Sequence, residues 1–310
     1  MNAIELIDTS LLRVSADHIL DLYRGLDEQN RDCIVLISKT NPTPADMNML
    51  KSSTGIEVRV RKRTDGKYAI IISLQTYTSS ELFEKFKVDV IESSAKLQSE
   101  LLGLSFIAHR YSSWQRLFHG VNSGKLSLHE IKGLIGELLF LSKHMFQHYG
   151  YLKALNSWTG LDGTDKDFYV DDTWFEIKTT TSGNQIILIS SIEQLDSQDV
   201  GYLAVATLDQ TNVTDTNSLS IGSLIKHISF LLKTEGLDEQ FNDMLLRHGY
   251  CDFDEYENYH FKIGKLKCFC VDSSFPALKR GDIKHHEIVN AVYQLNIGNI
   301  EETVIEGWNE

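Results

Sequence analysis

The run from Trp158 to Thr181, WTGLDGTDKDFYVDDTWFEIKTTT, decides the fold. Two extended stretches flank an Asp-Asp-Thr turn: Asp167-Phe168-Tyr169-Val170, then Trp174-Phe175-Glu176-Ile177-Lys178-Thr179-Thr180. Aromatic and β-branched side chains favour the pleated backbone of a strand. Successive strand residues point to opposite faces, so Glu176 and Lys178 share one face and Phe175, Ile177 and Thr179 the other. With the first stretch folded back as a hairpin arm, Asp167 and Tyr169 join the Glu176/Lys178 face, and Phe168 and Val170 join the apolar one. Two carboxylates and an ammonium then converge at a sheet edge or turn. Carboxylate oxygens with room for waters suit Mg2+, with Mn2+ as a substitute. The lysine beside them either holds a phosphate or polarises the attacking water. Taken alone, Glu-x-Lys equally describes a solvated acidic hairpin.

Downstream, Gln185 to Ser190 and Gly201 to Leu208 read as strands, continuous enough in apolar character for a sheet covered on both sides. Between them, Ser191 to Leu195 forms a short helix or a turn. Gln194 there either orients a phosphate or Lys178, or makes a local cap. Upstream, Leu128 to Tyr149 is the longest helical stretch, with Ser127 and Glu130 as a capping box. Ile131, Leu134, Ile135, Leu138 and Leu139 give its buried side, and Gly133 and Gly136 allow close packing. Glu137 sits beside this apolar band. His144 and His148 lack the intervening glutamate of a zinc-protease helix and read as surface histidines near a C-terminus capped by Gly150.

Asp167 followed nine residues on by Glu176-Ile177-Lys178 resembles the Asp…(Asp/Glu)-x-Lys signature of the restriction-endonuclease-like nucleases. Gly133 to Leu141, Trp158-Thr159-Gly160, Lys166-Asp167-Phe168, Phe175 to Thr180 and Ser190 to Leu195 together resemble a largely uncharacterised bacterial family of that PD-(D/E)XK superfamily. The superfamily resemblance covers residues 130 to 195, the narrower one most of the chain. Lys166 stands where the motif has proline, a departure that makes the match less specific. The resemblance implies an α/β fold, a restriction-endonuclease-like mixed-sheet core flanked by helices. It implies Mg2+-dependent phosphodiester hydrolysis, of DNA and endonucleolytic, within a bacterial restriction or phage-defence system. Asp167 and Glu176 would hold the metal with a main-chain carbonyl of the second strand and waters, and Lys178 would position water. Glu137, on the helix before the catalytic strands, would join the metal shell directly or through water. The partners so implied are DNA and defence-system subunits, with a homodimer as a further option.

A chain of 310 residues accommodates one large domain or two modest ones. The punctuation His119-Gly120-Val121-Asn122-Ser123-Gly124 places a boundary there, giving an N-terminal α+β region at 1–124 and a catalytic region with C-terminal elaboration at 125–310. In the first region, the stretch from Ser15 to Arg24 reads as a helix with Asp17 near its start, and Cys33 to Ile37 as a strand. Ile56 to Arg63 and Lys67 to Leu74 form a hairpin through Thr64-Asp65-Gly66. Helices follow at 79–101 and 104–118. The hairpin carries Arg59, Arg61, Lys62, Arg63 and Lys67, the densest basic cluster; Arg59, Arg61 and Arg63 share one face, read with Lys67 as a phosphate-contact ribbon or as a solvated face. Late in the chain, helices surround Leu224 to Leu232 and Leu237 to His248. Tyr259 to Val271 and Glu287 to Ile297 read as strands that can return to the N-terminal sheet.

The formal charge of −13 opposes long-range attraction to DNA, so nucleic-acid binding needs a local basic groove or a basic partner. No apolar segment reaches membrane-spanning length, and MNAIELIDTS has no basic-then-apolar leader, so cytoplasmic residence is expected. Four cysteines without paired spacing read as free thiols or core residues. Nucleophile triads, Gly-rich phosphate loops and redox-cofactor fingerprints find no match. Two further classes stay open beside the nuclease: a catalytically weak or inactive nuclease-like DNA-binding or scaffold subunit of a multiprotein complex, and a purely structural interaction protein.

Overall fold

Asp171 and Asp172 both adopt the left-handed conformation (φ 47° and 59°), which a two-residue hairpin turn of the type that matches strand twist requires. In the computed structural model, which describes residues 11–75, 79–119, 125–159 and 165–303, that turn joins the predicted arms. Phe168 pairs with Phe175, Tyr169 with Trp174 and Val170 with Thr173. The chain divides into two units: residues up to Lys125 together with Asp243–Cys251, and Leu126–Asn242 together with the chain from Asp252 onward. The expected punctuation at 120–124, the apolar residues Ile4, Leu6 and Ile7, and Gly160 lie outside the described residues.

The first unit holds a five-stranded antiparallel sheet made from β1 (Leu11–Arg13), β2 (Asp21–Leu26), β3 (Asp32–Ser38), β4 (Ile56–Lys62) and β5 (Tyr68–Leu74), in the order β1-β2-β3-β5-β4. Ile34, Leu36, Ile70 and Ile72 are buried on one face. Cys33, Val35, Ile37, Ala69 and Ile71 form a separate cluster on the other, with Leu11 and Tyr23 packed against it. Helices α1 (Pro44–Met49), α2 (Ser80–Ser94) and α3 (Gly103–His119), together with the segment Asp243–Cys251, complete the unit. The helix expected from Ser15 is instead a turn and the strand β2. Leu20 and Leu22, two apart and both buried, follow the strand period, and Leu22 pairs with Leu36.

The second unit opens with α4 (Leu128–Phe140), whose Ser127/Glu130 capping box forms as expected. A π turn at Leu141–Met145 and α5 (Phe146–Tyr149) continue it, and α6 (Tyr151–Ser157) leads into the hairpin strands β6 (Phe168–Val170) and β7 (Thr173–Thr180). His144 lies in the π turn, buried, its ring 5.6 Å from that of Phe140, which corrects its reading as a surface residue. After β8 (Ile186–Ile189) come β9 (Val200–Thr211), β10 (Ser218–Ser220), α7 (Ile221–Lys233), α8 (Asp238–Arg247), β11 (His260–Cys270) and β12 (Tyr293–Asn296). The central sheet runs β10-β11-β9-β7-β6, with β7 and β9 parallel and the other pairs antiparallel. This is a mixed sheet with flanking helices, a restriction-endonuclease-like core.

β7 is covered on both faces. On one, Phe140 of α4 meets Phe168 and Phe175, each ring 5.2 Å away. On the other, Trp174, Leu203, Val205 and Phe269 pack with Ile187, Ile189, Leu295 and Ile297 of the β8/β12 layer. Strand β8 therefore pairs with β12 in a separate two-stranded sheet, leaving Ile186 and Leu188 exposed rather than covered. The late strands stay in the second unit and do not return to the N-terminal sheet. Only Tyr293–Asn296 of the run expected from Glu287 is strand. Before it, the Arg280 guanidinium donates to the carbonyls of Ile288 and Val289 and holds that segment off a ladder.

Gly136 faces β7 so closely that an added Cβ would lie 2.6 Å from Thr179 Cγ2, whereas Gly133 has open space around it. Gly136→Ala should destabilise the fold by about 1–3 kcal/mol through overpacking. Gly133→Ala should be neutral or stabilising by up to about 0.8 kcal/mol from helix propensity. Chemical denaturation of both variants checks this, and equal effects would contradict the packing.

Candidate functional site

Continuing the β6/β7 register by one residue sets Asp167 opposite Glu176, at the point where the edge strand ends. There the Asp167 side chain takes over the ladder: its Oδ2 accepts the backbone N–H of Ile177 at 2.7 Å. Two residues along β7, Lys178 Nζ donates to Glu176 Oε1 at 2.7 Å. Glu137 reaches the same place from α4, and its Oε2 accepts from Trp158 Nε1 at 2.7 Å. The indole of Trp158 is itself stacked on Phe168.

The cluster differs from the expected open edge in one respect. Strand β7 lies inside β6 and is covered on both faces, so Glu176 is only 1% exposed. Its Oε2 is buried with no hydrogen-bond partner. Burial first, and the nearby Asp167 charge second, push the Glu176 carboxyl up to about 8, with Lys178 and Lys166 offsetting only part of the rise. Burial and the charge of Asp167 likewise hold Glu137 well above the usual carboxylate range. Asp167 is raised by burial against the opposing pull of Lys178, the Ile177 N–H and Lys166. Three carboxyls that shift one another titrate as one system.

This donor set fits a divalent cation in two ways: an orphaned buried carboxyl oxygen, and crowded negative groups whose repulsion a cation would relieve. Asp167 and Glu176 are the side chains that could hold it, with waters completing the shell. Glu137 is engaged by Trp158. Among the described residues, no group of three or more His, Cys, Asp or Glu side chains converges closely enough to hold a metal ion.

Lys166, where the motif has proline, does something the sequence did not signal. Its ammonium lies 3.9 Å from the centre of the Trp174 ring and donates to the carbonyls of Gln194 (2.8 Å), Asp196 (3.2 Å) and Glu193. Burial lowers it to about 8. It ties the 192–196 turn to the hairpin and adds positive charge beside Glu176. Within that turn the Gln194 Oε1 accepts from Ser190 N at 2.8 Å, the local cap of the two arrangements expected.

The basic hairpin closes as predicted, with Arg63 N donating to Lys67 O at 2.8 Å and Gly66 at φ 83°. Its arginines are taken up by carboxylates. Arg59 pairs with Asp27 (2.8 Å) and Glu28 (3.3 Å), Arg61 with Glu28 (2.7 Å), and Arg63 with Asp65 (3.2 Å). Asp27 is nearly enclosed, its side chain 2% exposed, and also binds Arg31. These bonds bring its carboxyl down to about 2 against the opposing effect of burial. Arg59 is thus part of the fold before it is a phosphate contact. Cys33, Cys251, Cys268 and Cys270 are all free thiols.

A family model described as "Putative PD-(D/E)XK family member, (DUF4420)" matches residues 5–298, and the chain belongs to that family. No curated protein and no solved structure matches it.

Two outcomes follow from these geometries. A Glu176 carboxyl that ionises near pH 8 when folded and near 4.5 when unfolded contributes its full stability below pH 4.5 and loses it as pH rises through 8. Glu176→Gln keeps the neutral form, so it should gain on the wild type by about 1.4 kcal/mol per pH unit across that window. Melting curves in a pH series check it, and a constant difference would contradict it. Arg59→Gln should cost about 1–3 kcal/mol because it removes a charge-assisted bond to the enclosed Asp27 carboxylate, which keeps Arg31 and two backbone N–H donors. Arg61→Gln, a more exposed pair, should cost less than about 1 kcal/mol. Equal losses would show that Asp27 does not depend on Arg59.

Proposed function

We propose that this chain is a nuclease-like subunit that binds nucleic acid or scaffolds a multiprotein assembly, with phosphodiester cleavage weak or absent in the isolated chain. The observation that carries the reading is the closed state of the Asp167/Glu176/Lys178 cluster. Lys178 is bonded to Glu176, Asp167 to the Ile177 N–H, and Glu137 to the Trp158 indole, so each group the motif would present to an ion and a phosphate already has a partner within the protein. With Glu176 ionising near 8, much of its population carries a proton at neutral pH. The chain's charge of −13 favours a basic partner, such as another subunit of a bacterial restriction or phage-defence system, or a basic protein that brings DNA. Among the described residues no helix is long and apolar enough to cross a membrane.

The unpartnered Glu176 Oε2 favours a second reading, Mg2+-dependent endonucleolytic cleavage of DNA. Bound Mg2+ would supply Lewis-acid stabilisation of the phosphate and a more acidic water. In that reading Asp167 and Glu176 hold the ion, and Lys178, released from Glu176, orients water or the scissile phosphate. Glu137 supports the shell, and Mn2+ substitutes. Lys166 keeps the hairpin and the 192–196 turn in register.

Cleavage assays separate the two. Purified chain with Mg2+ or Mn2+ should leave unmodified and modified DNA essentially intact, with cleavage arising only when candidate partner subunits are present. Robust divalent-dependent cleavage by the isolated chain, lost in folded Asp167→Asn and Glu176→Gln variants, would overturn the first reading and establish the second.

A further inference from the structure

The outer face of the N-terminal sheet has its own cavity, of about 210 Å3. Its floor is a small flat plate. Val35 and Ile71 are register partners on β3 and β5, and so are Ile37 and Ala69. On β2, Tyr23 continues the first row and Asp21 the second. Two rows on two strands span about 7 Å by 5 Å, given the rise per residue and the spacing between strands. That is the footprint of a nucleobase; Val35, Ile37, Ala69 and Ile71 are themselves buried, so only their outer atoms form the cavity floor.

The rim carries charge of a particular kind. Arg63 and Lys67 stand at the hairpin end beyond Ala69, and both line the cavity. Of the five basic residues on this ribbon, Arg59 and Arg61 are held by Asp27 and Glu28, and Lys62 lies 5.9 Å from the centre of the Tyr68 ring. Arg63, among the described residues, pairs with half-exposed Asp65, a contact of a kind worth little in solvent. Among the described residues Lys67 has no ion-pair partner. Arg63 and Lys67 are the charges of this ribbon that line the cavity, while Lys62 stands exposed on the strand. Across the plate, the Asp21 carboxylate accepts from the Tyr23 hydroxyl (3.2 Å) and from Arg13, and offers an acceptor to an amino group.

We propose that this cavity binds one nucleoside monophosphate unit, with the base on the Val35/Ile71 plate beside Tyr23 and the phosphate on Lys67 and Arg63. The unit is either a free nucleotide or one nucleotide of a single strand. This deepens the nucleic-acid side of the reading above. It does not involve Asp167 or Glu176, so a cleavage result and a binding result at this cavity can fail separately.

Calorimetric titration of the full chain with deoxynucleoside 5′-monophosphates, the matching deoxynucleosides and inorganic phosphate tests it. The monophosphate should bind at least about tenfold more tightly than either fragment, since both halves of the site contribute. Lys67→Gln should weaken the monophosphate by roughly tenfold and leave the nucleoside unchanged, as expected for one charge-assisted contact. Tyr23→Leu, in a chain whose melting curve confirms folding, should weaken nucleoside and monophosphate alike. Competition by a short single-stranded oligonucleotide would identify the strand as the source, and its absence a free nucleotide. A monophosphate bound no more tightly than inorganic phosphate would overturn the proposal, as would unchanged affinity in the folded Lys67→Gln variant.

Discussion

A carboxyl group deep in a sheet must be paired, protonated or bound to an ion, because an isolated charge there is prohibitively costly. Glu176 on β7 is that group, and the second unit is built around the ways its burial is met. Lys178 reaches one oxygen from two residues away. Lys166, anchored by three carbonyls and the Trp174 ring, adds a second positive charge nearby. The aromatic contacts of Phe140 and the absence of a side chain at Gly136 bring α4 onto β7, so Glu137 is packed into the same region. One carboxyl oxygen is left without a partner, and proton uptake or a cation is the remaining way to satisfy it.

The first unit follows the same rule with a different outcome. Asp27 is as enclosed as Glu176 but receives Arg31, Arg59 and two backbone N–H groups, and its carboxyl stays ionised far into acid. A fully satisfied acid of this kind is structural. An acid with an orphaned oxygen and a raised ionisation is where binding or chemistry can be added. The contrast between Asp27 and Glu176 separates scaffold from site within one chain.

Much of the central hairpin was legible because each local signal agreed with the others. Alternation from Phe168 to Thr180, an Asp-Asp turn able to take positive φ, and a capping box at Ser127 all specify the observed register and helix start. Where the sequence misled, a long-range partner decided. The Ser15–Arg24 stretch has helical spacing, but pairing of Leu22 with Leu36 makes it a strand. The arginines of the ribbon alternate as a phosphate-binding face would, yet Asp27 and Glu28, about thirty residues earlier, neutralise Arg59 and Arg61. Nothing in the local pattern announces that Lys166 will find carbonyls thirty residues downstream. The geometry of Asp167, Glu176 and Lys178 followed from strand parity. Their enclosure did not, because it depends on the β8/β12 layer folding over the outer face of β7.

The state of the Glu176 carboxyl is the hinge of the account, and it can be observed directly. Carboxyl carbon NMR of chain labelled at glutamate, with the Glu176 resonance identified by its loss in Glu176→Gln, gives its titration midpoint without any assay of function. The enclosed, internally satisfied cluster predicts a midpoint at about 8 in metal-free buffer. A midpoint near the ordinary glutamate value of 4.5 would mean the carboxyl is solvated and ionised at neutral pH, and the closed-cluster account would be wrong.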